Sequence, residues 1–141
     1  MEELRWFLKE NKKKRENVTY AATKSLCDAE GKPLEWVIRP LSTRENEAII
    51  DSATKEVKTK NGGYRPKLMM GEYIAKMIAS SVVEPNLYSA ALQDSYGVKT
   101  PEDLLMAMVD DPMEYQAFSE FVQTFNGVDE SMEEKVEHAK N

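Results

Sequence analysis

At 141 residues, 41% hydrophobic and 31% charged, the chain has the makings of one globular domain with a real core, which excludes a largely disordered polymer. A net charge of −6 argues against a nucleic-acid-coating protein, and the longest apolar run falls short of the ~20 residues that a bilayer span needs. The lone Cys27 excludes an intramolecular disulfide, and Leu4, Trp6, Phe7 and Leu8 are bracketed by charge rather than arranged as a secretion signal, so the expected location is a cytoplasm.

In chain order, residues 2–11 are expected to form a short helix, with acids in the first turn and Leu4, Phe7 and Leu8 on one face. Lys12-Lys13-Lys14-Arg15 follows without interleaved aromatic residues and reads as a solvated linker. Period two then sets in, with Val18, Tyr20 and Ala22 on one side and Thr19 and Thr23 on the other. Asp28-Ala29-Glu30-Gly31 makes a turn, and Leu34, Trp36 and Ile38 alternate against Glu35 and Arg39. These residues predict a β-hairpin over 18–39, in which Cys27 is expected as a small buried side chain. A lone hairpin is marginal in water, so it must pack on a helix or pair with another strand.

Ser42-Thr43-Arg44-Glu45 is a capping box, and it opens a helix expected over 43–58 with Ile49, Ala53 and Val57 at four-residue steps. Asn61-Gly62-Gly63 ends it. No strand precedes these glycines and no Lys-Ser/Thr follows, so they are not a phosphate loop, and residues 61–67 are expected to be a mobile connection. The most apolar stretch, residues 68–85, predicts the central helix at 68–83. Met70, Tyr73, Ile74, Met77, Ile78 and Val82 share a broad face, Gly71, Ala75 and Ala79 recur on a neighbouring one, and Glu72, Lys76 and Ser80 leave only a narrow wet stripe. Glu72 precedes Lys76 by four residues, the favourable order for a helical ion pair.

Three further helices are expected at 89–96, 101–109 and 112–125. Asn86 or Ser89 starts the first and Gly97 ends it, while Thr100-Pro101 and Asp111-Pro112 supply N-caps with proline at the first position. Asn126-Gly127 closes the last helix, and the charged residues 128–141 are expected to be a disordered tail. The fold class is therefore α+β and mostly helical, with the hairpin packed on a bundle of about five short-to-medium helices in a single domain over 1–127.

Charge divides the chain. Residues 1–99 hold 17 Lys/Arg against 14 Asp/Glu, a balance of +3, whereas residues 100–141 hold Lys135 and Lys140 against 11 acids, a balance of −9. Such a surface repels nucleic acid and attracts a basic protein surface, or serves only to keep the protein in solution. Catalytic triads and His-ligated metals need histidine, and the one present, His138, lies in the polar tail. The adjacent acids Glu102/Asp103, Asp110/Asp111 and Glu133/Glu134 do not converge on a helix. No catalytic residue, metal site or cofactor is expected, and the enzyme reading is rejected. Met106, Met108 and Met113 beside Phe118, Phe121 and Phe125 suit a core or an adaptable protein-binding surface.

Val82-Val83-Glu84-Pro85-Asn86-Leu87, followed by Ala91-Leu92-Gln93-Asp94-Ser95-Tyr96-Gly97-Val98, resembles the XkdN-like phage tail assembly chaperones. The order of the remaining parts is similar too, from Gly31-Lys32-Pro33 and Trp36 through Arg39-Pro40-Leu41-Ser42 to Asn126-Gly127. The resemblance implies a non-enzymatic protein of a phage or prophage, acting in the bacterial host cytoplasm, that binds the tape measure protein and keeps it soluble during tail assembly. It also implies a longer frameshift product as a partner, and self-association into a homo-oligomer is expected beside it. Client helices are expected in a groove lined by Leu105, Met108, Tyr115, Phe118, Phe121 and Val122, with the edges of the 18–39 hairpin or the Gly71, Ala75 and Ala79 ridge joining copies. The competing classes are a small nucleic-acid-binding regulator, using Lys12–Arg15 and the helix after Ser42, and a structural tail component.

Overall fold

The computed structural model describes residues 2–128, so the expected tail and His138 lie outside the described residues. Its elements are α1 (Glu2–Arg5), β1 (Val18–Tyr20), β2 (Trp36–Ile38), α2 (Thr43–Ala53), β3 (Thr54–Lys58), β4 (Tyr64–Leu68), α3 (Met70–Ser81), β5 (Val82–Glu84), α4 (Ala90–Tyr96), α5 (Pro101–Met108) and α6 (Pro112–Phe125). The architecture is α+β and mostly helical, as the sequence implies.

Helix α3 is the central element. Tyr73, Ala75, Met77, Ile78, Ala79 and Ser81 are all buried on it, which leaves the expected narrow wet stripe. Two apolar clusters meet it from opposite sides. One joins Ile78 and Ala79 to Trp36, Leu87, Leu104, Leu105, Phe118 and Val122. The other joins Tyr73 and Met77 to Leu41, Ile49 and Ala53. On the wet stripe, Lys76 Nζ lies 3.5 Å from Glu72 Oε1, the pair expected from their spacing.

Local capping signals act where the sequence puts them. Ser42 and Glu45 form a reciprocal capping box at α2. The side chains of Ser89, Thr100 and Asp111 accept backbone N–H groups at the starts of α4, α5 and α6. Gly97 takes the left-handed conformation, with φ of 69°, that ends α4.

Three expected elements are corrected by strand pairing. The helix over 43–58 stops at Ala53, because Thr54 turns to extended backbone and its hydroxyl donates to the Ile50 carbonyl at 2.7 Å. Residues 54–58 then form β3, which pairs antiparallel with β4 from Thr54↔Leu68 to Lys58↔Tyr64. The supposed mobile connection 61–67 is thus a hairpin turn and a strand, with Gly62 at φ of 85° and the Thr59 N–H donating to the Gly63 carbonyl at 2.7 Å. The central helix ends two residues early, and Val82–Glu84 becomes β5. It covers one edge of the first hairpin to give the sheet order β1-β2-β5. The hairpin itself pairs Val18↔Ile38 and Tyr20↔Trp36. The N-terminal helix over 2–11 shrinks to the single turn α1, with a separate 3-10 turn at Lys9–Asn11. Cys27 is exposed and its thiol donates to the Lys24 carbonyl at 3.0 Å, because the long β1–β2 connection runs over the surface.

Candidate protein-binding surfaces

Apolar residues at helical spacing on α5 and α6 face inward together. Leu105, Phe118 and Val122 have no exposed surface, Met108 is buried, and Tyr115 and Phe121 are half-buried. The groove expected between these helices is filled by the first hairpin. The Tyr20 ring stacks on Phe118 at 5.4 Å and on Phe121 at 4.4 Å, and Trp36 meets Phe118 edge-on at 5.5 Å. Glu114 holds the hairpin there: its carboxylate accepts from the Thr23 hydroxyl and from the Lys24 N–H, both at 2.8 Å. In this fold four of the six residues expected to contact a client lie in the core, and Tyr115 and Phe121 pack half-buried against it.

The small-residue ridge divides as well. Ala75 and Ala79 are buried within the chain, whereas Gly71 is exposed and a Cβ added there would meet nothing within 4 Å. Gly71 and Ala75 edge a shallow depression that Glu102, Asp103 and Met106 close from the α5 side.

Exposed apolar surface lies instead at the N-terminus. Leu4, Trp6, Phe7 and Leu8 are 62%, 65%, 85% and 45% exposed, so α1 and the turn after it leave most of a hydrophobic segment in water. The Arg5 guanidinium sits 4.7 Å above the Trp6 ring. The basic run follows, and Arg15 ties it to the body through a hydrogen bond to the Leu41 carbonyl at 2.5 Å. Lys12 and Arg15 share a cleft with Leu41, Ser42, Asn46 and Asn126.

Asn126 is a junction that periodicity did not reveal. Its side chain accepts from the Leu41 N–H at 2.8 Å and donates to Ser81 Oγ at 3.1 Å, joining the end of α6 to the entry of α2 and the end of α3. Nearby, Arg39 forks onto both oxygens of Glu45, at 3.1 and 2.6 Å. Arg39 and the Ser42 N–H together hold the Glu45 carboxyl down to a pKa of about 2, and Glu45 in turn raises Arg39.

Among the described residues no three His, Cys, Asp or Glu side chains come together as a metal site. None of their helices is long and apolar enough to cross a membrane. A family described as phage XkdN-like tail assembly chaperone protein, TAC, matches residues 4–140. The chain belongs to this family. The chaperone is 22% identical over 126 residues to the uncharacterized protein YqbN of Bacillus subtilis, covering 89% of this chain and 85% of that one. It is 21% identical over the same shares to the phage-like element PBSX protein XkdN of Bacillus subtilis. The crystal structure of YqbN has the same fold, with a TM-score of 0.73 at 16% identity over 88% of this chain and 95% of that one.

Proposed function

We propose that this chaperone binds the tape measure protein and keeps it soluble in the bacterial host cytoplasm while the tail assembles, without catalysing a reaction. Family membership spanning residues 4–140 carries the reading. The exposed segment Leu4–Leu8 gives it a chemistry, because an apolar stripe left in water suits a client whose own amphipathic helices aggregate. Client contact is accordingly assigned to Leu4, Trp6, Phe7 and Leu8, while Leu105, Met108, Tyr115, Phe118, Phe121 and Val122 hold the body that presents them. Several copies, and a longer frameshift product sharing the fold, would line one extended client.

Co-expression with the tape measure protein tests this. The wild-type chaperone is expected to bring the client into the soluble fraction and to co-purify with it. Trp6→Ser/Phe7→Ser is expected to lose both effects without loss of fold, since both side chains lie outside the body. A client that stays insoluble beside the wild-type chaperone overturns the function. Full solubilisation by the double variant overturns the assignment of the contact.

A further inference from the structure

The β3–β4 hairpin is a ribbon of five residues a strand that is largely exposed among the described residues. Between Lys55 and Lys67 only Val57 and Thr59 are even half-buried, and Tyr64 is 69% exposed. The ribbon meets the body chiefly at its root, where the Met69 N–H donates to the Ala53 carbonyl at 2.9 Å and Lys55 Nζ lies 3.2 Å from Glu72 Oε2.

Register makes one face cationic. Lys55 stands directly opposite Lys67, and Arg65 opposite Val57, so three positive side chains share that face; Lys55 already meets Glu72 of α3, which leaves Arg65 and Lys67 with no ion-pair partner among the described residues. Lys58 and Lys60 lie nearer the tip, and Glu56 is the single acid between Thr54 and Leu68. Like charges directly across a strand pair oppose pairing, and an isolated two-stranded ribbon is marginal in water. An anionic protein surface would relieve both conditions.

The same chain carries the acids for such a surface on α5, α6 and the turn between them. From Thr100 to Val128 there are six acids and no basic side chain, with Asp103, Asp110 and Glu120 exposed. The ribbon has no extensive packing on α5 or α6 of its own chain. We propose that the cationic face of the β3–β4 ribbon docks onto the acidic α5–α6 surface of a second copy, joining copies head to tail. The two contacting patches differ, so the contact propagates into an open or ring-shaped assembly rather than closing as a two-fold dimer. It gives the self-association within the proposed function a location, and rests on that part of the reading alone. A nucleic acid is a poorer occupant, because the acids of α5 and α6 repel its phosphates.

Sedimentation of the purified full chain, without client, is the test. The average mass is expected to rise with concentration at low salt and to fall toward the monomer at high salt. Arg65→Glu/Lys67→Glu and Asp103→Lys/Glu120→Lys should each weaken association by more than about tenfold, and mixing the two variants should restore it. Circular dichroism checks that each variant is folded. A chain that is monomeric throughout, or folded variants that associate as the wild type does, overturns the proposal. So does salt-sensitive binding of duplex DNA by a monomer through Arg65 and Lys67. Client solubilisation is scored separately, so its failure bears on the chaperone function and not on this interface.

Discussion

The first hairpin is drawn into the body by Tyr20 and Trp36, which meet Phe118 and Phe121, whereas the second carries Lys55, Arg65 and Lys67 on one face and stays outside. Backbone pairing is antiparallel in both. The difference lies in what the side chains gain from water. Burying an aromatic side chain releases a large apolar area, while burying an unpaired ammonium costs far more than any packing returns. Pairing therefore makes a hairpin, and side-chain chemistry decides whether it becomes core or remains a surface for something else.

Phe118→Ala tests the contrast most severely. It empties the site shared by Tyr20 and Trp36 and is expected to cost ~3–5 kcal/mol in a chemical denaturation experiment. A loss below about 1 kcal/mol would mean that the first hairpin is held by something other than this aromatic cluster. Asn126→Ala comes next. It leaves the Leu41 N–H without its acceptor and is expected to cost ~1–3 kcal/mol, measured the same way.

The Arg39–Glu45 pair sits where the first hairpin enters α2, and its effect depends on pH. Glu45 has its pKa lowered from 4.5 to about 2 in the folded protein, so the unfolded chain binds the extra proton first. Its contribution is present above pH 4.5 and is lost as pH falls toward about 2. Because both side chains are more than a third exposed, solvent screening keeps the effect to about 1 kcal/mol or less. Glu45→Gln should flatten that part of the stability–pH curve, and an unchanged slope would break the assignment. The smallest change is expected on the ribbon. Lys67→Thr should shift stability by no more than ~0.5 kcal/mol, with a gain rather than a loss if relief of the Lys55–Lys67 opposition dominates.

Much of the fold was legible because its signals are local. Ser42 with Glu45, Thr100 with Pro101, and Asp111 with Pro112 each mark a helix start through bonds spanning three residues or fewer. The ribbon is masked in the sequence because Ile49, Ala53 and Val57 keep helical spacing through the residue where the helix stops. The competing signal was present, since Lys55 to Lys58 hold few apolar residues and Asn61-Gly62 is a strong hairpin turn. The residues expected to line a client groove keep their helical spacing on α5 and α6, but they face inward, where the first hairpin covers them. Periodicity identifies an apolar face but not its cover, and here Tyr20 and Trp36 reach Phe118 from 98 and 82 residues away.

By itself, the sequence determined the capped helices, the central position of α3, the antiparallel pairing of the first hairpin and, through ordered short motifs, the family. Those features depend on neighbours within a few residues or on the summed hydrophobicity of one helix. Only the tertiary structure decided that Val82–Glu84 completes a sheet, that Asn126 ties three elements together, and that the α5–α6 seam is closed while the N-terminal segment and the ribbon are open. Each of these turns on which distant residues compete for the same apolar surface, and a chain read in order does not contain that competition.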